Sequence, residues 1–225
     1  MSADVPHLLL VTDRTQCEPR ELPELIDTAI EGGIRAVLLR EKDLPPEERR
    51  SIAAELKGML AMVDGVLIVA SDPTLDADGL HLAADDPFPE DRPALVGRSC
   101  HSLEEVQAAE GEGCDYVTLS PIFESISKPE YGPILGLDEL RRVCATVSVP
   151  VLALGGVQSE TAAPCFEAGA AGIAVMGAVM SARFASVAVE RLLNIARPYE
   201  EARVRAPVIT AVSLTRKPKP PEATA

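Results

Sequence analysis

The chain has 225 residues, of which 25% are charged and 47% apolar, and a formal net charge of −14. This charge argues against nucleic-acid binding, because a protein that neutralises many phosphates needs a basic surface. The apolar content is enough for a sizeable core, and 3% aromatic residues with no Trp favour a globular core of small and branched aliphatic side chains.

Short apolar runs alternate with amphipathic segments along the chain, and most of the runs are continuously apolar, as in strands covered on both faces. The predicted strands are Leu8–Thr12, Ala36–Leu39, Val66–Ala70, Gly79–Ala83, Leu95–Arg98, Tyr116–Leu119, Val149–Leu154 and Gly172–Met176. The predicted helices are Leu22–Ile30, Pro46–Met62, Leu103–Ala109, Leu137–Val147, Thr161–Ala168 and Phe184–Ala196. Eight strands alternating with helices predict an α/β protein with a (β/α)8 TIM barrel, and a doubly wound open sheet is the alternative.

Two connections of the predicted barrel are shortened, after strands 3 and 4. Ser71–Asp78 is too short for a crossover helix, and Asp85–Pro93 is too rich in proline for more than one turn. The helical pattern breaks at Pro198. We therefore expect a single barrel domain over residues 1–200 and a C-terminal extension over 201–225, disordered at its end.

Cysteine usage and the lack of apolar spans indicate the compartment. The five cysteines are widely spaced and form no C-x-x-C pair, which predicts reduced thiols rather than disulfides or zinc ligands. The first residues lack the basic and apolar regions of a signal peptide, and no apolar run approaches the roughly 20 residues needed to cross a bilayer. We expect a cytoplasmic protein without a membrane partner, and the sequence leaves a homo-oligomer open.

The residues that follow the predicted strands carry the candidate chemistry, because TIM-barrel active sites lie at the carboxyl ends of the strands. Arg40 and Lys42 follow strand 2 and are candidate cations for an anionic substrate, although a solvated turn paired with nearby acids would have the same spacing. Asp72 and the pair Asp85–Asp86 follow strands 3 and 4 and are candidate ligands for one Mg²⁺ ion shared with substrate phosphates, with ordinary solvated carboxylates as the alternative in so acidic a chain.

Two further segments suit phosphate. Ser125, Ser127 and Lys128 follow strand 6 and offer hydroxyls and an ammonium, with an ordinary surface loop as the alternative. Gly155–Gly156 and Gly177 follow strands 7 and 8, where many such barrels bind phosphate through backbone N–H groups. A plain tight turn is the alternative for these glycines.

The three histidines have no metal-like spacing. His81 lies within an apolar run, which predicts a hydrogen-bonded core residue. His101 lies at the predicted rim and is a candidate functional residue.

Eight short motifs, in order along the chain, resemble those of the thiamine phosphate synthase family, which includes thiazole tautomerases. They are Val-Thr-Asp-Arg at 11–14, Leu-Arg-Glu-Lys at 39–42, Asp-Gly-Leu-His-Leu at 78–82, Val-Gly-Arg-Ser-Cys-His-Ser at 96–102, Asp-Tyr-Val at 115–117, Ser-Pro-Ile-Phe-Glu-Ser-Ile-Ser-Lys-Pro at 120–129, Ala-Leu-Gly-Gly-Val at 153–157 and Gly-Ile-Ala-Val-Met at 172–176.

The resemblance implies a transferase that joins a hydroxymethylpyrimidine diphosphate to a thiazole phosphate, releasing diphosphate and forming thiamine phosphate. It implies that the pyrimidine diphosphate is held by Arg40, Lys42, Ser71, Ser99 and Lys128, with catalysis assigned to Lys128, Arg40 and Lys42. It places Mg²⁺ on Asp72 and Asp86. It implies that the thiazole phosphate is held by Ser125, Ser127, Gly155, Gly156, Met176 and Gly177.

The chain also departs from the synthase pattern. Leu38 stands where Gln is usual, Ser71–Asp72 replaces Asn-Asp, Ala83–Ala84 replaces Gly-Gln, and Gly177 replaces a serine. These changes keep two other functions open. One is a thiazole tautomerase, although Pro121 occupies the position of that branch's histidine, and the other is a barrel that binds thiamine precursors without turnover.

Overall fold

The computed structural model describes residues 5–125 and 132–205. Eight parallel strands close into a barrel in which each strand pairs with the next along the chain and the last pairs with the first. The strands are β1 (Leu8–Val11), β2 (Ala36–Leu39), β3 (Val66–Ala70), β4 (Gly79–Leu82), β5 (Leu95–Cys100), β6 (Tyr116–Leu119), β7 (Val151–Ala153) and β8 (Gly172–Val175). The predicted barrel is therefore confirmed, and the open sheet is excluded.

The helices described cover the outside of this barrel. They are α1 (Leu22–Glu31), α2 (Pro46–Ala61), α3 (Leu103–Glu112), α4 (Gly136–Thr146), α5 (Ser159–Glu167), α6 (Gly177–Met180) and α7 (Ala185–Arg205). The segments between β3 and β4 and between β4 and β5 contain no helix, as their length and proline content predict.

Alternation along the strands divides the apolar side chains into two clusters. One cluster fills the barrel interior and includes Leu9, Leu38 and Tyr116. The larger cluster lies between the barrel and its helices and includes Val37 and Leu39, which point outward. Both faces of the strands are buried, which explains why the strands are continuously apolar in sequence.

The last helix corrects the predicted break at Pro198. α7 continues through Pro198 to Arg205, so it crosses the boundary predicted at residue 200. Contacts of the residues after Pro198 stabilise this part of α7. The Tyr199 ring stacks on the Phe166 ring with their centroids 4.9 Å apart, and the Glu200 carboxylate lies 3.6 Å from the His7 imidazole. Residues 206–225 of the predicted extension lie outside the described residues.

All five cysteines are free, and four of them are buried. This agrees with the prediction of reduced thiols. Among the described residues, no helix is long and apolar enough to cross a bilayer.

The barrel interior has one steric constraint that a substitution would test. A Cβ on Gly97 would lie 2.1 Å from the Cζ of Tyr116. We expect Gly97→Ala to lower the free energy of unfolding by about 1–3 kcal/mol, since overpacking forces a buried ring to move. Urea unfolding would measure this change.

Gly58 provides a matched control, because a Cβ at this position in α2 would meet no atom within 4 Å. Gly58→Ala should leave the stability unchanged or raise it by about 0.5–1 kcal/mol, as expected for a helix interior. Equal destabilisation by the two alanines would contradict the steric account.

Candidate active site

Arg40 directly follows β2 at the mouth of the barrel, which is the end where the carboxyl ends of the strands lie. Ala36 and Leu38 of β2 point into the barrel interior, so alternation directs Arg40 to the interior side of the mouth. Its backbone N–H donates to the hydroxyl of the buried Thr12 at 3.0 Å. Leu38 is buried among aliphatic side chains and offers no polar atom to a ligand.

Lys42, Ser71 and Asp86 form a chain of hydrogen bonds across the ends of β2, β3 and β4. The Lys42 Nζ donates to the Ser71 Oγ at 2.7 Å, and the Ser71 hydroxyl donates to the Asp86 Oδ2 at 2.5 Å. Ser71 has a φ of 57°, a left-handed conformation that is uncommon for a residue with a side chain. The structure thus brings together three residues that the sequence placed at the rim.

The environment of Asp86 keeps its carboxylate ionised. Partial burial alone would raise the pKa of Asp86. The hydrogen bonds from Ser71 and the Ala83 N–H, with the charges of Lys42 and Arg98, outweigh this effect, and the pKa is lowered. An ionised carboxylate at this position can bind a cation at neutral pH.

Asp72 has different partners. Its Oδ1 accepts hydrogen bonds from the Thr74 hydroxyl at 2.6 Å and the Thr74 N–H at 3.0 Å, and its Oδ2 lies 3.6 Å from the Arg49 Nη1. The Thr74 hydroxyl lowers the pKa of Asp72; burial opposes this, and the Thr74 N–H and Arg49 add to the lowering. Arg49 is itself buried and donates to the Ala70 carbonyl, so it fixes the end of β3.

These two carboxylates fit Mg²⁺ in their donor chemistry. They follow adjacent strands, both are ionised at neutral pH, and the Oδ1 of Asp86 accepts no hydrogen bond from the described part of the chain. Over residues 5–125 and 132–205, no group of three His, Cys, Asp or Glu side chains could hold a metal. Mg²⁺ usually takes one or two carboxylates and completes its shell with water and substrate phosphate, so two carboxylates suffice.

An ion pair between the first two loops was not predicted from the sequence. Glu41 is 3% exposed and accepts hydrogen bonds from both the backbone and the guanidinium of Arg14. The same guanidinium binds Asp43 at 2.7 Å. These bonds occupy Arg14 and fix the loop between β2 and α2 (residues 40–45, the β2 loop). The candidate cations of the β2 loop itself are Arg40 and Lys42.

A hydrogen-bonded group lies inside the barrel, and only part of it was predicted from the sequence. His81 is buried; its Nδ1 lies 3.0 Å from the Tyr116 hydroxyl and its Nε2 lies 2.9 Å from the Ser99 Oγ. Burial, followed by the charges of Lys42 and Arg98, lowers the pKa of His81 to about 3. The prediction that His81 is a hydrogen-bonded core residue is confirmed, whereas its link to Ser99 is new.

Arg98 holds the loop that carries Asp86. Its Nη1 donates to the carbonyls of Ala83, Ala84 and Asp86 at 2.8–2.9 Å, and its Nη2 pairs with Glu112 at 2.8 Å. The side chain is 7% exposed. No role was predicted for Arg98 from the sequence, although a charged residue in a buried strand needs a partner and could have indicated one.

The glycines after β7 accommodate a neighbouring loop. A Cβ on Gly155 would lie 2.8 Å from the Cα of Pro121, and a Cβ on Gly156 would lie 2.4 Å from the carbonyl oxygen of Glu124. Both residues have positive φ values, 93° and 64°. The glycines therefore leave room for the segment that follows β6 and begins at residue 120, the β6 loop. Within the described residues their own N–H groups donate no hydrogen bond.

The remaining predicted residues lie around the same mouth or outside the described residues. Ser125 ends the described part of the β6 loop, and Met176 precedes Gly177, the first residue of α6. Ser127 and Lys128 lie outside the described residues. The rim histidine His101 lies 2.8 Å from the Ser120 carbonyl through its Nδ1.

Comparison with known proteins identifies the barrel. A sequence model described as thiamine monophosphate synthase matches residues 8–179. The chain belongs to the thiamine monophosphate synthase family. A thiamine-phosphate synthase of Roseiflexus castenholzii is 34% identical over 199 residues, covering 83% of this chain and 86% of that protein. The thiamine-phosphate synthase of Chloroflexus aurantiacus is 35% identical over 195 residues, covering 82% and 90%.

A solved structure agrees with these relatives. Thiamine phosphate pyrophosphorylase from Pyrococcus furiosus superposes with a TM-score of 0.73 at 32% identity, covering 85% of this chain and 96% of that one. Membership of the thiamine monophosphate synthase family confirms the expected fold, the transferase class and the thiamine-phosphate synthase function. The roles of individual residues and the requirement for Mg²⁺ stay predictions.

The buried histidine predicts how stability depends on pH. The unfolded imidazole takes up a proton near pH 6.5, whereas native His81 stays neutral down to about pH 3. Its contribution is therefore fully present above about pH 6.5 and is lost as the pH falls from 6.5 toward 3. We expect it to add up to about 1.4 kcal/mol per pH unit to the slope of the unfolding free energy.

Urea unfolding of the wild type and His81→Gln between about pH 7 and 5 would measure this slope, because the Asp72 and Asp86 carboxylates begin to affect stability only below about pH 5. His7→Gln is a matched control at the opposite end of the barrel, where His7 lies 3.0 Å from the Ala171 carbonyl. The same slope in the wild type and His81→Gln would refute the assignment.

Proposed function

We propose that the mouth of this barrel couples a hydroxymethylpyrimidine diphosphate to a thiazole phosphate, forming thiamine phosphate and releasing diphosphate. The observation that carries the proposal is the hydrogen-bonded chain of Lys42, Ser71 and Asp86, which joins a cation, a hydroxyl and a carboxylate at the ends of three adjacent strands. Such a group suits a diphosphate that is bound jointly by protein donors and a divalent cation.

The diphosphate side of the site would be formed by Arg40, Lys42, Ser71 and Ser99, with Lys128 from the β6 loop. Cleavage of the C–O bond sends its electron pair to the diphosphate and leaves a delocalised pyrimidine cation, which the thiazole nitrogen attacks. The protein must therefore stabilise developing negative charge on the leaving group, and fixed N–H, O–H and ammonium donors do this without reorganising. A strong base is not required.

The charge of the chain makes local cations important. Residues 201–225 contain five Lys or Arg and two Asp or Glu, which is a net charge of +3. Because the whole chain carries −14, residues 1–200 carry −14 − 3 = −17. A body this negative repels phosphorylated substrates at long range. Binding must therefore depend on short-range contacts with Arg40, Lys42 and Lys128 and on a bound cation.

Asp72 and Asp86 would hold Mg²⁺, which when bound neutralises charge on the departing diphosphate. Lys42 and Ser71 position Asp86 for this role through the hydrogen bonds described above. Arg49 lies on the Oδ2 of Asp72 and keeps its carboxylate oriented by an ion pair.

The thiazole phosphate would lie on the opposite side of the mouth, on Ser125, Ser127, Gly155–Gly156 and Met176–Gly177. The N–H groups of Gly155 and Gly156 donate no hydrogen bond within the described residues, so they can donate to phosphate oxygens. This arrangement would set the two substrates on either side of the barrel axis.

A thiazole isomerase is the second candidate function. His101 contacts Ser120, the residue before Pro121, which occupies the position of the tautomerase histidine. An imidazole near this position can transfer a proton. Isomer exchange of the thiazole without coupling to the pyrimidine would support this candidate over the synthase.

The cytoplasmic location is part of the same proposal. Five free cysteines, four of them buried, suit a reducing compartment. Small phosphorylated molecules are the proposed partners, and neither nucleic acid nor membrane is expected.

Metal dependence is the first test of the proposal. Purified protein should form thiamine phosphate and diphosphate from the two substrates only when Mg²⁺ is present. Asp86→Asn should raise the Mg²⁺ concentration needed for half-maximal turnover by about tenfold or more, since it removes a charged ligand. A coupled diphosphate assay over a Mg²⁺ titration measures both effects.

The neighbouring carboxylate provides the control for this test. Asp85 is exposed, and we assign it no contact with the substrates. Asp85→Asn should titrate with Mg²⁺ as the wild type does. Equal shifts in the two variants, or full turnover in the presence of a chelator, would exclude the proposed metal site.

The leaving-group cations are a separate test. Lys128→Ala should lower kcat by about a hundredfold to a thousandfold, because an electrostatic donor to the departing diphosphate is lost. Steady-state kinetics would measure kcat and KM. Arg141→Ala, on the exposed face of α4, should behave as the wild type, and near-normal turnover of Lys128→Ala would remove Lys128 from the assignment.

A further inference from the structure

Three polar side chains are connected through the interior of the barrel. The Tyr116 hydroxyl lies 3.0 Å from the Nδ1 of His81, and the Nε2 of His81 lies 2.9 Å from the Oγ of Ser99. Tyr116 is fully buried and His81 is 5% exposed, whereas Ser99 is only partly buried. The chain therefore runs from the dry interior to the mouth.

The buried end of the chain determines where the imidazole proton lies. Burial strongly raises the pKa of Tyr116, so its phenol keeps its hydrogen. Within the described residues, His81 Nδ1 is the hydrogen-bond partner of this hydroxyl, and an unpaired buried O–H is costly. The phenol therefore donates to Nδ1, which must be the unprotonated nitrogen of a neutral ring.

The proton of the neutral imidazole then lies on Nε2, which donates to the Ser99 Oγ. Because this bond occupies an oxygen lone pair of Ser99, the serine's own O–H points away from His81. The alternation of β5 places Leu95, Gly97 and Ser99 on the interior side, so the Ser99 side chain lies at the mouth and its O–H can donate to a ligand bound there.

We propose that His81 is a positioning residue that makes the Ser99 hydroxyl a hydrogen-bond donor to the departing diphosphate, and that Tyr116 fixes the tautomer of His81. The inference rests on the role of Ser99 in the proposed function. A donor whose direction is set before the substrate binds needs no reorientation as charge develops on the leaving group.

The tautomer can be measured without any activity assay. In protein labelled with ¹⁵N at histidine, the His81 signals are assigned by their absence in His81→Gln. We expect a neutral ring protonated on Nε2 between about pH 5 and pH 8. Tyr116→Phe removes the donor to Nδ1 and should shift the ring toward the Nδ1-protonated form. An Nδ1-protonated ring in the wild type would overturn the inference.

Kinetics test whether His81 acts through Ser99. His81→Leu removes the donor and should lower kcat by about ten- to a hundredfold, the range expected for a hydrogen bond to a charged group. In His81→Gln the amide nitrogen can replace Nε2, so this variant should recover most of the turnover. His7→Gln is the matched control and should keep the kcat of the wild type.

The decisive comparison uses a Ser99→Ala background. If His81 acts through the serine hydroxyl, His81→Leu should cause no further loss of kcat in Ser99→Ala. Losses that multiply would overturn the positioning role while leaving the proposed function intact. Full turnover of Ser99→Ala alone would instead refute the role that the proposed function gives to Ser99, and the inference with it.

A folding defect would be recognised by urea unfolding of each variant. If His81→Leu does not fold, Tyr116→Phe takes its place in the same cycle. The expected result is then a smaller loss of kcat that also disappears in Ser99→Ala, and a loss that persists there would overturn the inference.

Discussion

The close packing of the Tyr116 ring against Gly97 is the contact on which the organisation of the mouth depends. The neighbours of this ring in the interior cluster are mainly aliphatic, and the ring occupies the space that a Cβ at residue 97 would take. The register of β5 and β6 pairs these two residues directly. The position of the phenol oxygen therefore follows from steric fit, and the orientations of His81 and Ser99 follow from that oxygen.

The site also shows how an acidic protein can bind anions. Several arginines near the mouth are already committed to protein partners. Arg14 is paired with Glu41 and Asp43, Arg49 with Asp72, and Arg98 with backbone carbonyls. These pairs build the loops and leave the attraction of substrate to a few groups. In such a site the placement of each cation matters more than the net charge of the surface.

Much of the fold could be predicted because the barrel strands are buried on both faces and read as continuous apolar runs. The same runs could not reveal the contact of His81 with Tyr116, which joins residues 35 positions apart through strand register. The predicted break of the last helix at Pro198 was wrong, because local helix propensity does not include the stacking of Tyr199 on Phe166. Gly155 and Gly156 were recognised as special, but their fit to the β6 loop needed coordinates.

The sequence predicted which residues lie at the mouth of the barrel, but it did not predict their contacts. The order of the strands places Arg40, Lys42, Ser71 and Asp86 at one end of the barrel, and the structure adds the hydrogen bonds that join Lys42, Ser71 and Asp86. Ser127 and Lys128 lie outside the described residues, so their roles rest on the sequence.

Arg98 anchors the loop after β4 through backbone atoms, so this loop can change its side chains and keep its anchor. The guanidinium binds the carbonyl oxygens of Ala83, Ala84 and Asp86, and every amino acid provides this group. Replacement of the side chains at positions 83 and 84 therefore leaves the anchor of the loop intact. The chain can therefore carry Ala83 and Ala84 in this loop while Arg98 still anchors the backbone next to the Asp86 carboxylate.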